Sequence, residues 1–300
     1  MTLLSPSVSS VPGVLQVGLV GRGILESRTP WLHEQEAKAA GLSLAYKLFD
    51  FTDHGWRDED LPGLLAELTA AGYVGINVTY PFKQAVLTLL DGMSESAGRV
   101  GAVNTIAFAD EQRTGYNTDI TGFAAGFRAG FPRMAPGTVL QIGCGGAGAA
   151  VAHALLGQLG AERVILSDSD AARAAALHAQ LSGHYGADRL ELSQDPVASA
   201  ARATGILNAT PMGMAKFPGL PIDAAAIKPR HWVADIVYFP LETRLLAEAR
   251  HKGCRTLDGA GMAVQQAADA FEIFTGHKAD HARMRESFFA FVADRNGAAG

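Results

Sequence analysis

Val139-Leu140-Gln141-Ile142-Gly143-Cys144-Gly145-Gly146-Ala147-Gly148 is the stretch on which the fold turns. A short run that reads as a buried strand stops at Gly143, and glycines then recur at 143, 145 and 148, the G-x-G-x-x-G spacing. Ala149 to Leu159 continues as an Ala/Leu/Val-rich helix with almost no charge. A second β-prone run, Arg163 to Ser167, ends at Asp168, about twenty positions beyond Gly148. Strand, glycine turn, helix and acid at this distance point to a dinucleotide-binding unit. The first glycine makes the tight turn, the second lets backbone approach a pyrophosphate, and the third lets helix and strand pack closely. Gly146, Ala147 and Gly148 open the helix, whose first N–H groups lack helical partners and face the phosphates. Read without this context, the same glycines are an ordinary turn in an α/β protein.

Asp168 bears on which dinucleotide is bound. A carboxylate accepts hydrogen bonds from the ribose diol of NAD and repels the 2′-phosphate of NADP. Asp170 adds a second acid, and the first base downstream is Arg173. NAD is therefore expected over NADP, with a solvated acid at a strand end as the plainer alternative for Asp168.

The totals narrow the class. Three hundred residues hold two ordinary domains or one large one. Apolar residues at 48% and charged residues at 18% describe a globular chain with a substantial core. A net charge of −5 without any basic cluster gives no footprint for nucleic acid. Cys144 and Cys254 make neither a disulfide framework nor a zinc pattern, so no metal is expected. No apolar run reaches the roughly 18 residues of a membrane span. Met1 to Pro12 is Ser/Pro-rich without a basic start or long apolar stretch, and reads as a disordered tail rather than a signal peptide. The cytoplasm is the expected location.

Upstream of the glycine turn, strands are expected at Val14–Val20, Leu44–Phe51, Tyr73–Thr79 and Gly101–Phe108. Helices are expected from Pro30 to about Ala40 and from Leu61 to Ala71. Thr29 before Pro30 is placed as an N-cap, which suffices to explain it, while Ser27 is left over. Two hydroxyls beside a helix N-terminus suit an anion such as a carboxylate. Lys83, just after Pro81, falls in the first turn of the next expected helix, the wrong end of the dipole for a cation. Alone it reads as a surface lysine. Downstream of Asp168 the alternation continues to Leu257, and Gly259 to Gly261 then breaks the chain before two helices, Met262–Phe274 and Ala282–Asp294. Alternation throughout implies mostly parallel pairing with crossover helices.

Several separated motifs now combine. Ser27-Arg28-Thr29-Pro30, Asn77-Val78-Thr79 with Lys83, Gly101-Ala102-Val103-Asn104-Thr105 and Asn117-Thr118-Asp119 are the first four. Gly143–Gly148, Asn208-Ala209-Thr210-Pro211-Met212-Gly213, Asp235–Glu242 and Asp258–Phe271 complete the set. Together and in this order the chain resembles the shikimate dehydrogenases, and among them the quinate/shikimate dehydrogenase branch. The resemblance implies an α/β protein of two domains. Residues 1–120 with 259–300 would be the substrate domain, its sheet completed by the C-terminal helices, and 121–258 an inserted Rossmann-type dinucleotide domain, with the active site in the cleft. It implies reversible hydride transfer between a nicotinamide and a ring carbinol of shikimate or quinate. By position, Lys83 and Asp119 match the family's catalytic pair. Ser27 and Thr29 match the holders of the substrate carboxylate, and Thr79, Asn104, Asp119 and Gln266 the partners of the ring hydroxyls. Tyr238 would stand between substrate and nicotinamide. Asn208, Thr210, Met212 and Gly259 join Gly143, Gly145, Gly146, Ala147, Gly148 and Asp168 on the cofactor side.

Gln266 lies roughly 140° from the centre of the apolar stripe Val264, Ala267, Ala268, Phe271 and Phe274, so it faces substrate or solvent. The chain also departs from the family. Thr29 stands where the biosynthetic enzymes usually carry a second serine, and Ser167-Asp168-Ser169 where they carry an Asn-Arg-Thr-like turn for NADP. Both differences point to the NAD-using, quinate-accepting branch, whether its role is biosynthetic or catabolic. Gly21–Glu26 replaces a loop that usually contains proline and histidine. The competing readings are an aminoshikimate-type dehydrogenase of the same family, a methylene-folate-type dehydrogenase and a non-catalytic nucleotide sensor. Lys83 with Asp119 argues against the sensor, and the Ser27/Thr29 and Asn117–Asp119 sets against the folate enzyme. Monomer and homodimer are both compatible with the sequence.

Overall fold

The computed structural model describes residues 13–297, with side chains as far as 290. The expectation for Met1–Pro12 lies outside the described residues. The chain divides into two compact units, one holding the described residues up to Thr118 and those from Gln266 onward, the other Asp119–Gln265.

The first unit begins β1 (Leu15–Gly21), α1 (Thr29–Ala39), β2 (Leu44–Asp50), α2 (Leu61–Ala70) and β3 (Gly75–Val78). It continues with β4 (Gly92–Met93), α3 (Glu95–Val100), β5 (Thr105–Ala109) and β6 (Gln112–Tyr116). The second unit carries α4 (Asp119–Gly130), β7 (Thr138–Ile142), α5 (Gly146–His153), β8 (Arg163–Ser167), α6 (Ala171–Tyr185) and β9 (Leu190–Leu192). Then come α7 (Pro196–Ala200), β10 (Gly205–Asn208), β11 (Trp232–Asp235), α8 (Arg244–His251) and β12 (Arg255–Leu257). Helix α9 (Ala260–Thr275) starts in the second unit and ends in the first, which α10 (His281–Gly297) completes.

The six-stranded sheet of the first unit runs β2-β1-β3-β5-β6-β4. β1 pairs in parallel with β2 and β3, but β5 is antiparallel to both β3 and β6, so this sheet is mixed rather than uniformly parallel. A two-residue hairpin makes the β5–β6 part of this departure. Asp110 and Glu111 take φ of 50° and 62°, which closes Ala109 onto Gln112 in the turn class that matches strand twist. The expected strand from Gly101 also starts later, at Thr105. Gly101 instead ends the short helix α3 at φ 66°, and Ser94 caps that helix by accepting from Ala97 N.

Leu61, Leu64, Leu65 and Leu68, none more than 2% exposed, form one stripe of α2 against one face of this sheet, with Val20, Phe49, Phe51 and Ile76. Each such side chain stabilises by about 1.5–3 kcal/mol. A second cluster joins Val17, Leu19 and Tyr46 to Ala270 and Phe274 of α9, so the C-terminal helices complete this unit. The buried Glu36 of α1 accepts from Arg283 Nε and Nη2 (2.8 and 2.6 Å) and from Asp280 N (2.7 Å), which fastens α10 to α1.

The sheet of the second unit is parallel throughout, in the order β12-β11-β10-β7-β8-β9. This is the doubly wound Rossmann arrangement, and its order reverses between β7 and β10. Among the described residues no helix is long and apolar enough to cross a membrane.

Candidate active site

In the first unit the candidate residues gather at the carboxyl ends of β1 and β3. Asp50, at the end of β2, accepts from Gly23 N (2.8 Å), Ile24 N (2.6 Å) and Thr52 N (2.9 Å). Burial pushes this carboxyl up, yet the N–H groups of Gly23, Thr52, Ile24 and Asp53 outweigh it and hold it below the usual range. The ionised Asp50 thus shapes the unusual Gly21–Glu26 loop that delivers Ser27.

Ser27 and Thr29 lie together. The Ser27 hydroxyl donates to Thr29 Oγ1 (3.1 Å) and accepts from Thr29 N (3.3 Å). Thr29 is the first residue of α1 rather than its cap; Arg28 occupies the cap position without a side-chain capping bond, and its carbonyl accepts from Leu32 N (3.1 Å). Arg28 has φ −95° and ψ −5°, so helical dihedrals begin one residue before Thr29. Both hydroxyls are half-buried at the helix start.

Thr79 follows β3, and its N–H donates to Val20 O (3.0 Å). A Cβ added to Gly21 would come within 2.4 Å of Thr79 Cγ2, so that glycine is what lets the two loops approach. The Thr79 carbonyl accepts from Phe82 N (2.9 Å), closing the turn that carries Lys83. Lys83 is half-buried and lies in this turn, with a 3-10 turn beginning at Ala85. It therefore does not occupy the first turn of an α-helix, and the dipole argument against a cation there falls away.

Asn104 is 3% exposed. Its Nδ2 donates to Thr118 Oγ1 (2.9 Å), while Oδ1 accepts from Thr118 N (2.9 Å) and Thr105 Oγ1 (3.1 Å). The Thr118 hydroxyl in turn donates to the Gln266 carbonyl (3.1 Å). Asn104, Thr118 and the start of the returning part of α9 form one chain of hydrogen bonds. Gln266 is half-buried, while Val264, Ala267, Ala268, Phe271 and Phe274 are all buried as their spacing predicts. Asp119, 4% exposed, is the first residue of α4. A carboxylate is favoured at that end of a helix.

In the second unit the glycine turn behaves as its spacing demands. Gly143 has φ +106°, and a Cβ there would meet Ala209 C at 2.6 Å. A Cβ on Gly148 would stand 2.2 Å from Gly143 O, whereas one on Gly145 meets nothing within 4 Å. Two glycines are thus required by packing and one faces open space. Gly145 caps α5, and the N–H groups of Gly146, Ala147 and Gly148 follow as its unpaired first turn. This cradle fits a pyrophosphate.

Asp168 closes the cradle's rim. Its Oδ2 accepts from Cys144 N (2.8 Å) and its Oδ1 from Asp170 N (2.9 Å), with Arg173 Nη1 at 3.4 Å. Arg173 also reaches Asp170 at 3.4 Å, so two acids face one base. Burial pushes the Cys144 thiol up to about 12, with Asp168 adding to the effect against Arg173. The thiol stays neutral and acts as a small loop residue.

Asn208 organises the neighbouring loop. Its Nδ2 donates to Met212 O (2.9 Å) and Asp235 Oδ1 (2.9 Å), and its Oδ1 accepts from the Thr210 N–H and hydroxyl (3.0 and 2.6 Å). Asp235 also accepts from Val237 N (3.0 Å), next to the 40%-exposed Tyr238, and from the Thr243 hydroxyl (2.7 Å). Burial raises the Asp235 carboxyl to about 6 against the pull of Thr243, Val237 and Asn208. Gly259 admits the Tyr238 segment closely, since a Cβ there would lie 2.4 Å from Ile236 O.

Motif reasoning gives no role to Asp50, or to Gln141 and Asp235 although both lie inside quoted motifs; all three bond to the loops. The available signal is a polar residue inside an apolar β run: Leu48-Phe49-Asp50-Phe51, Val139-Leu140-Gln141-Ile142 and Val233-Ala234-Asp235-Ile236.

Known proteins resemble this chain in sequence and fold. Residues 19–106 match the shikimate dehydrogenase substrate binding domain, and residues 259–287 match the shikimate 5'-dehydrogenase C-terminal domain. The quinate/shikimate dehydrogenase (NAD(+)) of Corynebacterium efficiens is 45% identical over 91% of this chain and 97% of its own. The chain belongs to the shikimate dehydrogenase family. The shikimate dehydrogenase (NADP(+)) of an Arthrobacter species is similarly related, 46% identical over 92% of this chain and 95% of its own. Among solved structures, the quinate dehydrogenase from Corynebacterium glutamicum in complex with NAD has a TM-score of 0.85 and 41% identity, covering 92% of this chain and 99% of that one. Family members close to this chain thus include NAD and NADP enzymes alike.

Proposed function

We propose that this protein is a dehydrogenase that interconverts shikimate or quinate, or both, with the corresponding 3-dehydro acid, and that it prefers NAD to NADP. In this reading residues 1–120 with 259–300 bind the acid and 121–258 bind the dinucleotide. The observation that carries it is the Ser27–Thr29 hydroxyl pair at the start of α1, a seat for a carboxylate in a chain that also holds a pyrophosphate cradle. Thr79, Asn104 and Gln266 complete the substrate side, with Tyr238 at the nicotinamide. Asn104, whose amide is engaged by Thr118, also orders its surroundings.

Oxidising an alcohol requires a base for the hydroxyl proton, and the reverse reduction requires an acid at the same place. Lys83 exchanges that proton at Nζ, and Asp119 orients it. A carboxylate partner favours the ammonium form, which suits reduction. The bound dinucleotide supplies the hydride acceptor or donor. Gly143, Gly145, Gly146, Ala147, Gly148, Asn208, Thr210, Met212 and Gly259 hold it, and Asp168 takes its ribose hydroxyls.

The NAD preference rests on Asp168 and Asp170 facing the single guanidinium of Arg173. One carboxylate about 4 Å from a phosphate charge opposes it by about 4 kcal/mol at an effective ε of ~20. A third of that already gives roughly tenfold in kcat/KM. Initial rates with shikimate and quinate, each with NAD and NADP, test both parts. NAD-dependent turnover of either acid is expected. Equal kcat/KM with the two dinucleotides would remove the preference, and no turnover with any pair would remove the substrate assignment.

A further inference from the structure

Gln141 stands in the middle of β7, flanked by Leu140 and Ile142, and is completely buried. Its Nε2 donates to two carbonyls, Gly143 O at 2.9 Å and Gly148 O at 2.8 Å. The opposite amide orientation would set Oε1 against both carbonyls, so the donor assignment follows from the partners themselves. Oε1 is buried with no hydrogen-bond partner. An orphaned buried acceptor destabilises by about as much as two neutral hydrogen bonds stabilise, so this side chain contributes little to net stability. An aliphatic residue of similar size would serve the strand equally well.

What Gln141 does is orient the turn. Gly143 O lies at the start of the turn and Gly148 O in the first turn of α5, and one amide from the preceding strand draws both inward. Each of these peptides presents its N–H on the opposite side: Cys144 N–H, paired with Gly143 O, donates to Asp168 Oδ2 (2.8 Å), and Ala149 N–H, paired with Gly148 O, donates to Gly145 O (2.8 Å), so the one amide fixes both ends of the loop between which the N–H groups of Gly146, Ala147 and Gly148 lie. The same side chain sets the space at Gly148, where an added Cβ would come within 3.2 Å of Gln141 Nε2.

We infer that Gln141 is a positioning residue for dinucleotide binding, holding through the carbonyls of Gly143 and Gly148 the two ends of the loop whose intervening N–H groups hold the pyrophosphate. This rests on the reading of the chain as a dinucleotide-dependent dehydrogenase.

The test compares the wild-type chain with Gln141→Leu and Gln141→Glu. Titration calorimetry with NAD and with ADP-ribose, which keeps the pyrophosphate but lacks nicotinamide, is run beside thermal unfolding. Gln141→Leu is expected to unfold within about 3 °C of wild type. It should bind both ligands roughly ten- to hundredfold more weakly, as loss of two orienting hydrogen bonds implies. Gln141→Glu offers no donor when ionised and should bind more weakly still. In assays KM for the dinucleotide rises while kcat at saturation stays near wild type. Affinity of Gln141→Leu within twofold of wild type overturns the inference, as does weakening of NAD but not of ADP-ribose. So does an affinity loss that tracks only the fraction of unfolded protein. Failure of the wild-type chain to bind any dinucleotide would instead defeat the dehydrogenase reading itself, and the inference with it.

Discussion

Replacing Asp235 with asparagine isolates one buried charge at the junction that carries Tyr238. The carboxyl is 2% exposed and accepts from Asn208, Val237 and Thr243. Burial raises it from 3.8 to about 6. A folded-state value above the unfolded one means that the folded protein binds the proton more tightly. The resulting stabilisation is fully present below about 3.8 and is lost as pH rises through about 6. That span, at about 1.36 kcal/mol per pH unit, amounts to about 3 kcal/mol. Asp235→Asn does not titrate. Its Oδ1 still accepts from Asn208 and Val237, and its amide N–H faces a Thr243 hydroxyl that can turn to accept. The variant should therefore match wild type near pH 4 and exceed it by up to about 3 kcal/mol near pH 8, with most of the difference opening between the two. Urea unfolding followed by far-ultraviolet circular dichroism at steps across this range gives the difference, provided m stays constant. Other titrating groups are common to both proteins and cancel. Parallel stability curves, or a variant weaker than wild type near pH 8, would refute the reasoning.

Four further outcomes are expected. Lys83→Ala should lower kcat by roughly two to four orders of magnitude with unchanged thermal unfolding; a near-wild-type kcat would remove Lys83 from the catalytic pair. Arg283→Ala strands the buried carboxylate of Glu36 and should cost about 3–5 kcal/mol, whereas Glu36→Leu removes the buried charge and should cost less, so denaturant midpoints that rank the other way would contradict the pairing. His33 is fully buried among Tyr46, Phe271 and Phe274, and burial lowers it from 6.5 to about 3. A depressed histidine contributes stability above about 6.5 that is lost as pH falls toward 3, on the order of 4–5 kcal/mol. His33→Leu, of similar volume, should move the acid unfolding midpoint to lower pH, and an unmoved midpoint would count against the assignment. Gly148→Ala forces a Cβ toward Gly143 O at 2.2 Å and should cost about 1–3 kcal/mol while weakening dinucleotide binding; calorimetry showing unaltered affinity would sink that account.

Much of the architecture is legible because the glycine turn between two apolar strands declares the doubly wound sheet, and the leucine spacing of α2 declares its packing face. The antiparallel β5–β6 hairpin is hidden for a physical reason: Asp110 and Glu111 adopt left-handed backbone without the glycine that normally announces such a turn. Lys83 and Thr29 are each displaced by a local event. The turn after Pro81 gives way to a 3-10 segment, and Arg28 enters helical dihedrals before the threonine does.

The site divides along a different line. Residues proposed to face a ligand occur in contiguous motifs, because a loop at a strand end presents neighbouring side chains together. Residues that shape those loops arrive from elsewhere: Asp50 reaches back to Gly23 and Ile24, and Asp235 reaches Asn208 and Thr243. No spacing rule links such positions, since the sheet rather than the chain makes them adjacent. What does mark them is an energetic anomaly. A polar group in an interior β run carries a desolvation penalty unless a partner waits for it, so its presence implies a specific partner. Asp50, Gln141 and Asp235 each break an apolar run, and each is buried against backbone N–H groups or carbonyls of a loop assigned here to ligand binding. In this chain, the interruptions in the apolar strands mark the side chains that shape the loops proposed to hold the ligands, as the glycines mark the turn proposed to hold the pyrophosphate.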